Sequence, residues 1–446
     1  MEAFAHSSFG LFLTSLFGTY FTAPSRQSLM VLAYGWSLAT TQHTIASYLW
    51  LSGAVSLKHF SRFYFFLSGP FYCAIDPLWS VVIQLAARFV EADQPIEIKI
   101  DDFIKKKSGK KISAASRYRN AAGSARQEYR VLWGINFVYG IMQVPTPLGP
   151  LAVPIGLKVY LKEKVAEQLS EPFLSRSLLA RQIIDLVAQM LPHRQIRVTA
   201  DGGYSTKEFL RNGPQSVKNV GRFPVNSKLY ELPKPVPKGR RGRKPKKGPL
   251  IGSPETLIES EGGWTPHPTE KKTRYKSLCG IWHSVLPGVV ISLVVVHRTK
   301  PMPKHAKQPE IEAFFTTDLS LCAEQILSTY SQRWCIEIDI RDNNAYAGLG
   351  GDRCRTFKRI FAINTFRLLL AATRTLWFVG QVYRTESISL RRFRPWYRQK
   401  HRLSQLDVMT AYHEMLQAEG IFPTVRFLND LTEIRTSHKP PFAEAA

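Results

Sequence analysis

Cysteine is scarce. The 446 residues hold five (Cys73, Cys279, Cys322, Cys335 and Cys354), an odd number without a CxxC pair. That excludes a zinc ribbon, offers no disulfide framework and favours a reducing compartment. None of the eleven histidines belongs to an HExxH. No window reaches eighteen consecutive apolar residues, the length a membrane helix needs. The apolar opening FGLFLTSLFGTYF lacks a basic flank and a small-residue cleavage site, so no membrane partner is expected. Acidic residues are also in deficit, 34 Asp plus Glu against 60 Lys plus Arg, a net charge of +26. Such a balance favours a polyanionic partner, most simply nucleic acid, through phosphate contacts and counterion release. Ribosomal and membrane-surface proteins can be as basic, so charge alone names no activity. With 44% hydrophobic and 12% aromatic residues, the chain reads as folded and not as a basic tail.

The length accommodates several domains. Residues 1–92 read as a helical N-terminal region. Within it, TIASYLWLSG and SLKHFSRFYFFL form two short helices around Gly53, with Lys58, His59 and Arg62 on the second. This fits a DNA-binding helix-turn-helix or, equally, an all-α unit without DNA contact. From Pro95 the pattern changes. IEIKID alternates as a strand and ends at Asp101–Asp102, before the lysine-rich KKKSGKK. VLWGINFVYGIMQV gives one or two buried strands with a Gly-marked turn. Residues 174–191 form a helix, QIRVTA a strand closed by Asp201-Gly202-Gly203-Tyr204, 205–212 a helix and VGRFPVN a strand. Strands feeding helices imply an α/β layer with a mixed sheet over 93–228. Residues 229–320 form a β-rich insertion carrying the basic arm KPVPKGRRGRKPKKGPL, suited to phosphates or a minor groove, or to a solvated linker. Residues 321–380 return to helix, and 381–446 are basic and helical.

Residues 321–346 contain no helix breaker. At about 100° per residue, Tyr330, Arg333, Glu337, Arg341 and Asn344 share one stripe of roughly 80°. Alone, this could be the wet face of an amphipathic helix with i,i+4 charge pairs. Three carboxylates change its meaning: Asp102 and Asp201 end strands, and Glu337 lies on this helix. Phosphodiester chemistry uses hard divalent cations, and carboxylate oxygens from two strand ends and a packed helix suit them. Singly, each strand-end aspartate is more commonly a turn or cap residue.

In these motifs the sequence resembles the DDE transposases of bacterial insertion sequences, in the branch with the signature Tyr-x2-Arg-x3-Glu-x6-Lys. YSQRWCIE supplies Tyr330, Arg333 and Glu337 at that spacing, while ADGGYS, IDDFIKKKSGKKI and the following GLG match the remaining motifs over about 95–375. The resemblance implies a ribonuclease H-like mixed sheet flanked by helices, interrupted by the β-rich insertion and preceded by the N-terminal all-α domain. It also implies Mg²⁺ dependence, two ions with Mn²⁺ as a substitute, and DNA cleavage with strand transfer. Double-stranded DNA would be the partner of a homodimer or higher assembly, in a bacterial cytoplasm at the nucleoid.

Carried over, Asp102, Asp201 and Glu337 bind metal, and Asp101 is the rival for the first place. Strand alternation puts the two aspartates on opposite faces, and alignment on Phe103, where a hydroxyl residue is usual, favours Asp102. Tyr330 and Arg333 hold phosphates. Trp334 offers a base-stacking surface or packs in the core. Lys105, Lys106, Arg240, Arg241 and Arg243 add DNA contacts. The signature lysine is replaced by Asn344, and Arg341 is expected to restore part of its charge. The leading reading is a transposase acting on terminal inverted repeats. The alternatives are a weakened or inactive DNA-binding descendant and a structural ribonucleoprotein component.

Overall fold

The computed structural model describes residues 2–119, 131–234, 245–270, 272–298, 310–384 and 402–421, with Trp396 and Lys400. Six helices open the chain: α1 (Glu2–His6), α2 (Ser8–Phe17), α3 (Ala23–Leu38), α4 (Ile45–Leu51), α5 (Ser61–Phe66) and α6 (Tyr72–Ala87). Side-chain caps set the starts of α2 and α4, with Ser7 Oγ accepting from Gly10 N at 2.9 Å and Thr44 Oγ1 from Ser47 N at 3.1 Å. Phe4, Phe9, Trp36, Tyr48, Phe63 and Phe71 are buried among them. The run Ser61–Ala87 is long and apolar enough to cross a membrane by length and composition. Here α6 buries Ile75, Leu78, Val82 and Ile83 and packs against helices and strands of the sheet region.

The strands are β1 (Ile96–Lys106), β2 (Ser116–Arg119), β3 (Val131–Val144), β4 (Leu151–Tyr160), β5 (Ile196–Ala200), β6 (Val217–Arg222), β7 (Leu229–Tyr230), β8 (Leu250–Gly252), β9 (Thr265–Pro266), β10 (Thr273–Ile281), β11 (Val290–Arg298) and β12 (Ile311–Thr316). They make one mixed sheet in the order β2-β3-β1-β5-β6-β12-β11-β10-β7-β8, with β4 on β3 and β9 on β10. β1 lies antiparallel to β3 and parallel to β5, and β6 parallel to β5. The last parallel pair is Ile100↔Ala200, so residues 101 and 201 leave the paired segment side by side.

Both faces of β1 are covered. Ile96, Ile98 and Ile100 are fully buried on one and Lys99 on the other. Helix α7 spans Glu163–Gln168, and α8 (Arg176–Met190) lies on the isoleucine face. A Cβ on Gly140 would meet Ile183 of α8 at 3.0 Å and Ile100 at 3.1 Å, so glycine lets the helix and sheet approach. After the short helices α9 (Lys207–Leu210) and α10 (Pro254–Leu257) come α11 (Ala323–Ser331), α12 (Trp334–Asp342), α13 (Phe357–Arg384) and α14 (Gln405–Ala418). α12 packs on the Lys99 face of β1.

Several local expectations change. The helix over 321–346 is broken at Gln332–Arg333, where N–H groups bond three residues back: Arg333 N to Tyr330 O at 3.0 Å and Ile336 N to Arg333 O at 3.1 Å. α11 docks on β6, β11 and β12, whereas α12 docks on β1 and β4, and two docking surfaces require two axes. β1 runs on to Lys106, because β3 pairs with it as far as Lys106↔Gly134. VLWGINFVYGIMQV is a single strand without a turn. The strand placed at VGRFPVN begins earlier, at Val217. The β-rich segment extends the same sheet through β12, paired to β6 at Phe314↔Arg222.

Candidate active site

The site forms beneath α12, where β5 ends and β1 runs on beyond its parallel pairing with it. Alternation along β1 puts Asp101 on the Lys99 face, towards α12, and Asp102 on the isoleucine face, towards α8. Arg333, at the entrance of α12, donates from Nη1 to Asp101 Oδ2 at 2.7 Å and from Nη2 to Glu337 Oε1 at 2.8 Å. One guanidinium therefore joins the strand carboxylate to the helix carboxylate. Asp201 caps the one-turn helix Gly202–Tyr204, its Oδ1 accepting from Gly203 N at 2.8 Å. It is close enough for its charge to act on Asp101.

Burial raises the Asp101 pKa to about 7 despite Arg333, and Asp201 and Asp102 push the same way. For Arg333, burial opposes the charge, but Asp101, Tyr330 and Glu337 more than offset it, so its pKa rises.

Asp102 meets different partners. Its carboxylate accepts from Arg176 Nη1 (3.1 and 2.9 Å to the two oxygens), Asn136 Nδ2 (2.9 Å) and the Tyr204 hydroxyl (3.2 Å). It does not join Arg333 and Glu337, because α8 and α12 lie on opposite faces of the sheet.

The other expected site residues that are described have the following surroundings. Tyr330 is half-buried against Phe314, with ring centroids 4.6 Å apart. Trp334 is 59% exposed at the start of α12. Arg341 is exposed and pairs with its neighbour Asp342 at 2.9 Å. The cation beside Asn344 is Lys105, whose Nζ donates to Asn344 Oδ1 at 2.9 Å. Lys105 shares the Asp101 face of β1, and its stem crosses Gly350 (φ 69°), where a Cβ would come within 2.4 Å of Lys105 Cγ. Burial, then Lys107, lowers the Lys105 pKa. Lys106 is exposed. Arg240, Arg241 and Arg243 lie outside the described residues.

Several functional candidates were not singled out from sequence. Asp339 sits on the buried side of α12, accepts from the Tyr139 hydroxyl and from Asn343 Nδ2 at 2.8 Å, and is raised by burial to about 7. Its only signal was an acid opposite the polar stripe. Arg176 and Asn136 carried none.

A family model described as DDE superfamily endonuclease matches residues 17–276, more than half of the chain. The chain belongs to the DDE superfamily endonucleases. A second model, of the archaeal transposase ISC1217, matches residues 282–378. Asp101, Asp102 and Asp201 fall in the first match and Glu337 in the second, and the pocket joins the two. No curated protein matches the chain. Membership implies nuclease or transposase activity, hence DNA as partner, and DDE enzymes generally use a divalent metal. Among the described residues no three His, Cys, Asp or Glu side chains are grouped to hold an ion; Arg333 lies between two of the three carboxylates. The donor chemistry nevertheless fits: all three are hard oxygen donors.

Proposed function

We propose that this DDE endonuclease is a transposase that binds the terminal inverted repeats of its insertion sequence and carries out DNA cleavage and strand transfer with Mg²⁺, for which Mn²⁺ can substitute. The observation that carries the reading is Arg333 holding Asp101 and Glu337 together, with Asp201 alongside at the end of the parallel neighbour strand. The order β4-β3-β1-β5-β6, antiparallel through β4-β3-β1 and parallel through β1-β5-β6, supports a ribonuclease H-like core.

In this reading Asp101, in place of Asp102, joins Asp201 and Glu337 as the metal-holding set. Bound there, two divalent ions would activate the attacking oxygen and stabilise the leaving one. Arg333, released from the carboxylates, offers a planar fork to a DNA phosphate; its buried Nε has no partner among the described residues. Lys105, oriented by Asn344, places a second cation on the same side. Trp334 offers an exposed ring for an unpaired base. Residues 1–92 would supply further DNA contact, and joining two ends calls for at least a dimer on DNA.

Asn344 at the signature-lysine position favours a second reading, a catalytically weakened DNA-binding descendant. Both are tested by incubating DNA carrying the element ends with Mg²⁺ and wild-type or Glu337→Gln protein. Cleavage by the wild type alone supports the transposase. Binding without cleavage by either protein supports the descendant, and equal cleavage by both rejects the assigned site.

A further inference from the structure

Asp102 carries more hydrogen bonds than a surface turn aspartate needs, and their sources span the core. Arg176 begins α8, Asn136 lies on β3, and Tyr204 belongs to the turn that follows β5. Together they give each carboxylate oxygen two donors, which uses the approximately four acceptor positions of an ionised carboxylate. Little capacity remains for a metal ion on this side of β1.

The Tyr204 contact links this hub to the catalytic pocket. Tyr204 is 2% exposed, so its hydroxyl needs an acceptor within the protein. Burial, then Asp102 and Asp101, hold the phenol well above its ordinary pKa, so it remains a donor. Its backbone N–H donates to Asp201 O at 3.1 Å, closing the turn that Asp201 caps. A Cβ at position 203 would approach Asp201 Oδ1 at 3.0 Å, so glycine there lets the cap close. Asp201 and the Tyr204 phenol are thus two ends of one short rigid segment. One end faces the catalytic pocket, and the other is fastened to Asp102.

We propose that Asp102 is a positioning residue that, through the Tyr204 hydroxyl, fixes the turn presenting Asp201. The adjacent aspartates then divide the labour: Asp101 serves the pocket, and Asp102 clamps the neighbouring strand end from behind. This rests on the catalytic reading above for its consequence but not for its geometry, and the two can be tested apart.

Hydrogen–deuterium exchange on the metal-free full chain reads the clamp directly. Asp102→Ala and Tyr204→Phe should each speed exchange of the Gly202–Ser205 amides about tenfold, with β5 and the α8 interior unchanged. The double variant should be no faster than either single one, because both remove the same bond. Asp102→Asn keeps an acceptor oxygen and should restore much of the protection. Should Asp102→Ala not fold, Tyr204→Phe against Asp102→Asn gives the same comparison. Titration with Mn²⁺, followed by electron paramagnetic resonance, should show Tyr204→Phe and Asp102→Ala weakened alike and less than Asp101→Asn. In end cleavage, the clamp variants should lose kcat with KM for DNA within about twofold. Unchanged exchange in Tyr204→Phe, or in a folded Asp102→Ala, overturns the clamp. So does loss of Mn²⁺ binding in Asp102→Ala as severe as in Asp101→Asn with Tyr204→Phe unaffected, since Asp102 would then be a ligand. If the wild type neither binds Mn²⁺ nor cleaves DNA while the exchange pattern holds, the catalytic reading fails and the clamp stands.

Discussion

Removing Arg333 should destabilise the metal-free protein by an amount that grows with pH. Arg333 and Asp101 are 2.7 Å apart, with 15% of each side chain exposed. Deleting one partner of a buried ion pair costs about 3–5 kcal/mol, and residual solvent contact puts Arg333→Ala at the lower end, ~3 kcal/mol at pH 8. The folded-state pKa of Asp101 is raised, from 3.8 to about 7. The native state therefore binds this proton more tightly than the unfolded chain, and the group makes stability fall as pH rises from about 4 to about 7. Without Arg333 the pKa climbs further, extending the fall above pH 7 by ~1.4 kcal/mol per pH unit at most. At pH 6, where the protonated form is favoured, the expected cost is only ~1–2 kcal/mol, that of lost hydrogen bonds. Denaturant titrations of wild type, Arg333→Ala, Asp101→Asn and the double variant at pH 6 and 8 measure this. Asp101→Asn should remove most of the pH dependence of the Arg333→Ala effect. Equal losses at both pH values, or no rescue by Asp101→Asn, would refute the account of the buried charge.

Other outcomes follow from the same contacts. Lys105→Ala should weaken binding to end-containing DNA and reduce the slope of log K against log salt by about 0.9, the signature of one lost phosphate contact, whereas Arg341→Ala should leave both unchanged; fluorescence anisotropy across a salt series measures each. Gly350→Ala should cost about 1–2 kcal/mol for the left-handed backbone alone, and displacement of Lys105 should add a loss of DNA affinity. Arg367 is fully buried and donates to Tyr48 Oη at 3.1 Å, Gly348 O at 2.7 Å and His43 O. Arg367→Leu should cost about 3–5 kcal/mol in denaturant titration by leaving those acceptors unpaired in the core.

The sequence made some of this architecture legible because the signals were local. Period-two alternation located β1, the Asp-Gly-Gly turn ended β5, and the spacing Arg333-x3-Glu337 put both side chains on one helical face. Alternation also separates Asp101 from Asp102. It cannot say which face α12 will cover, and that packing of distant segments decides which aspartate meets Glu337. A single 100° rotation from Tyr330 to Asn344 fails for the same reason, since α11 and α12 dock on different strands. The break at Gln332–Arg333 contains no glycine or proline to announce it. β4 was hidden by Pro154 and Gly156; its pairing shifts register between Gly140 and Ile141 to accommodate that stretch. The cation beside Asn344 came from Lys105, 239 residues away, and no helical spacing could point to it.

The most direct measurement is single-turnover cleavage of end-containing DNA with Mg²⁺, comparing wild type, Asp101→Asn, Asp102→Asn and Glu337→Gln. The expected result is cleavage by the wild type, at least a thousandfold loss for Asp101→Asn and Glu337→Gln, and at most about a tenfold loss for Asp102→Asn. Retained cleavage in Asp101→Asn alongside its abolition in Asp102→Asn would contradict the assignment of the catalytic face.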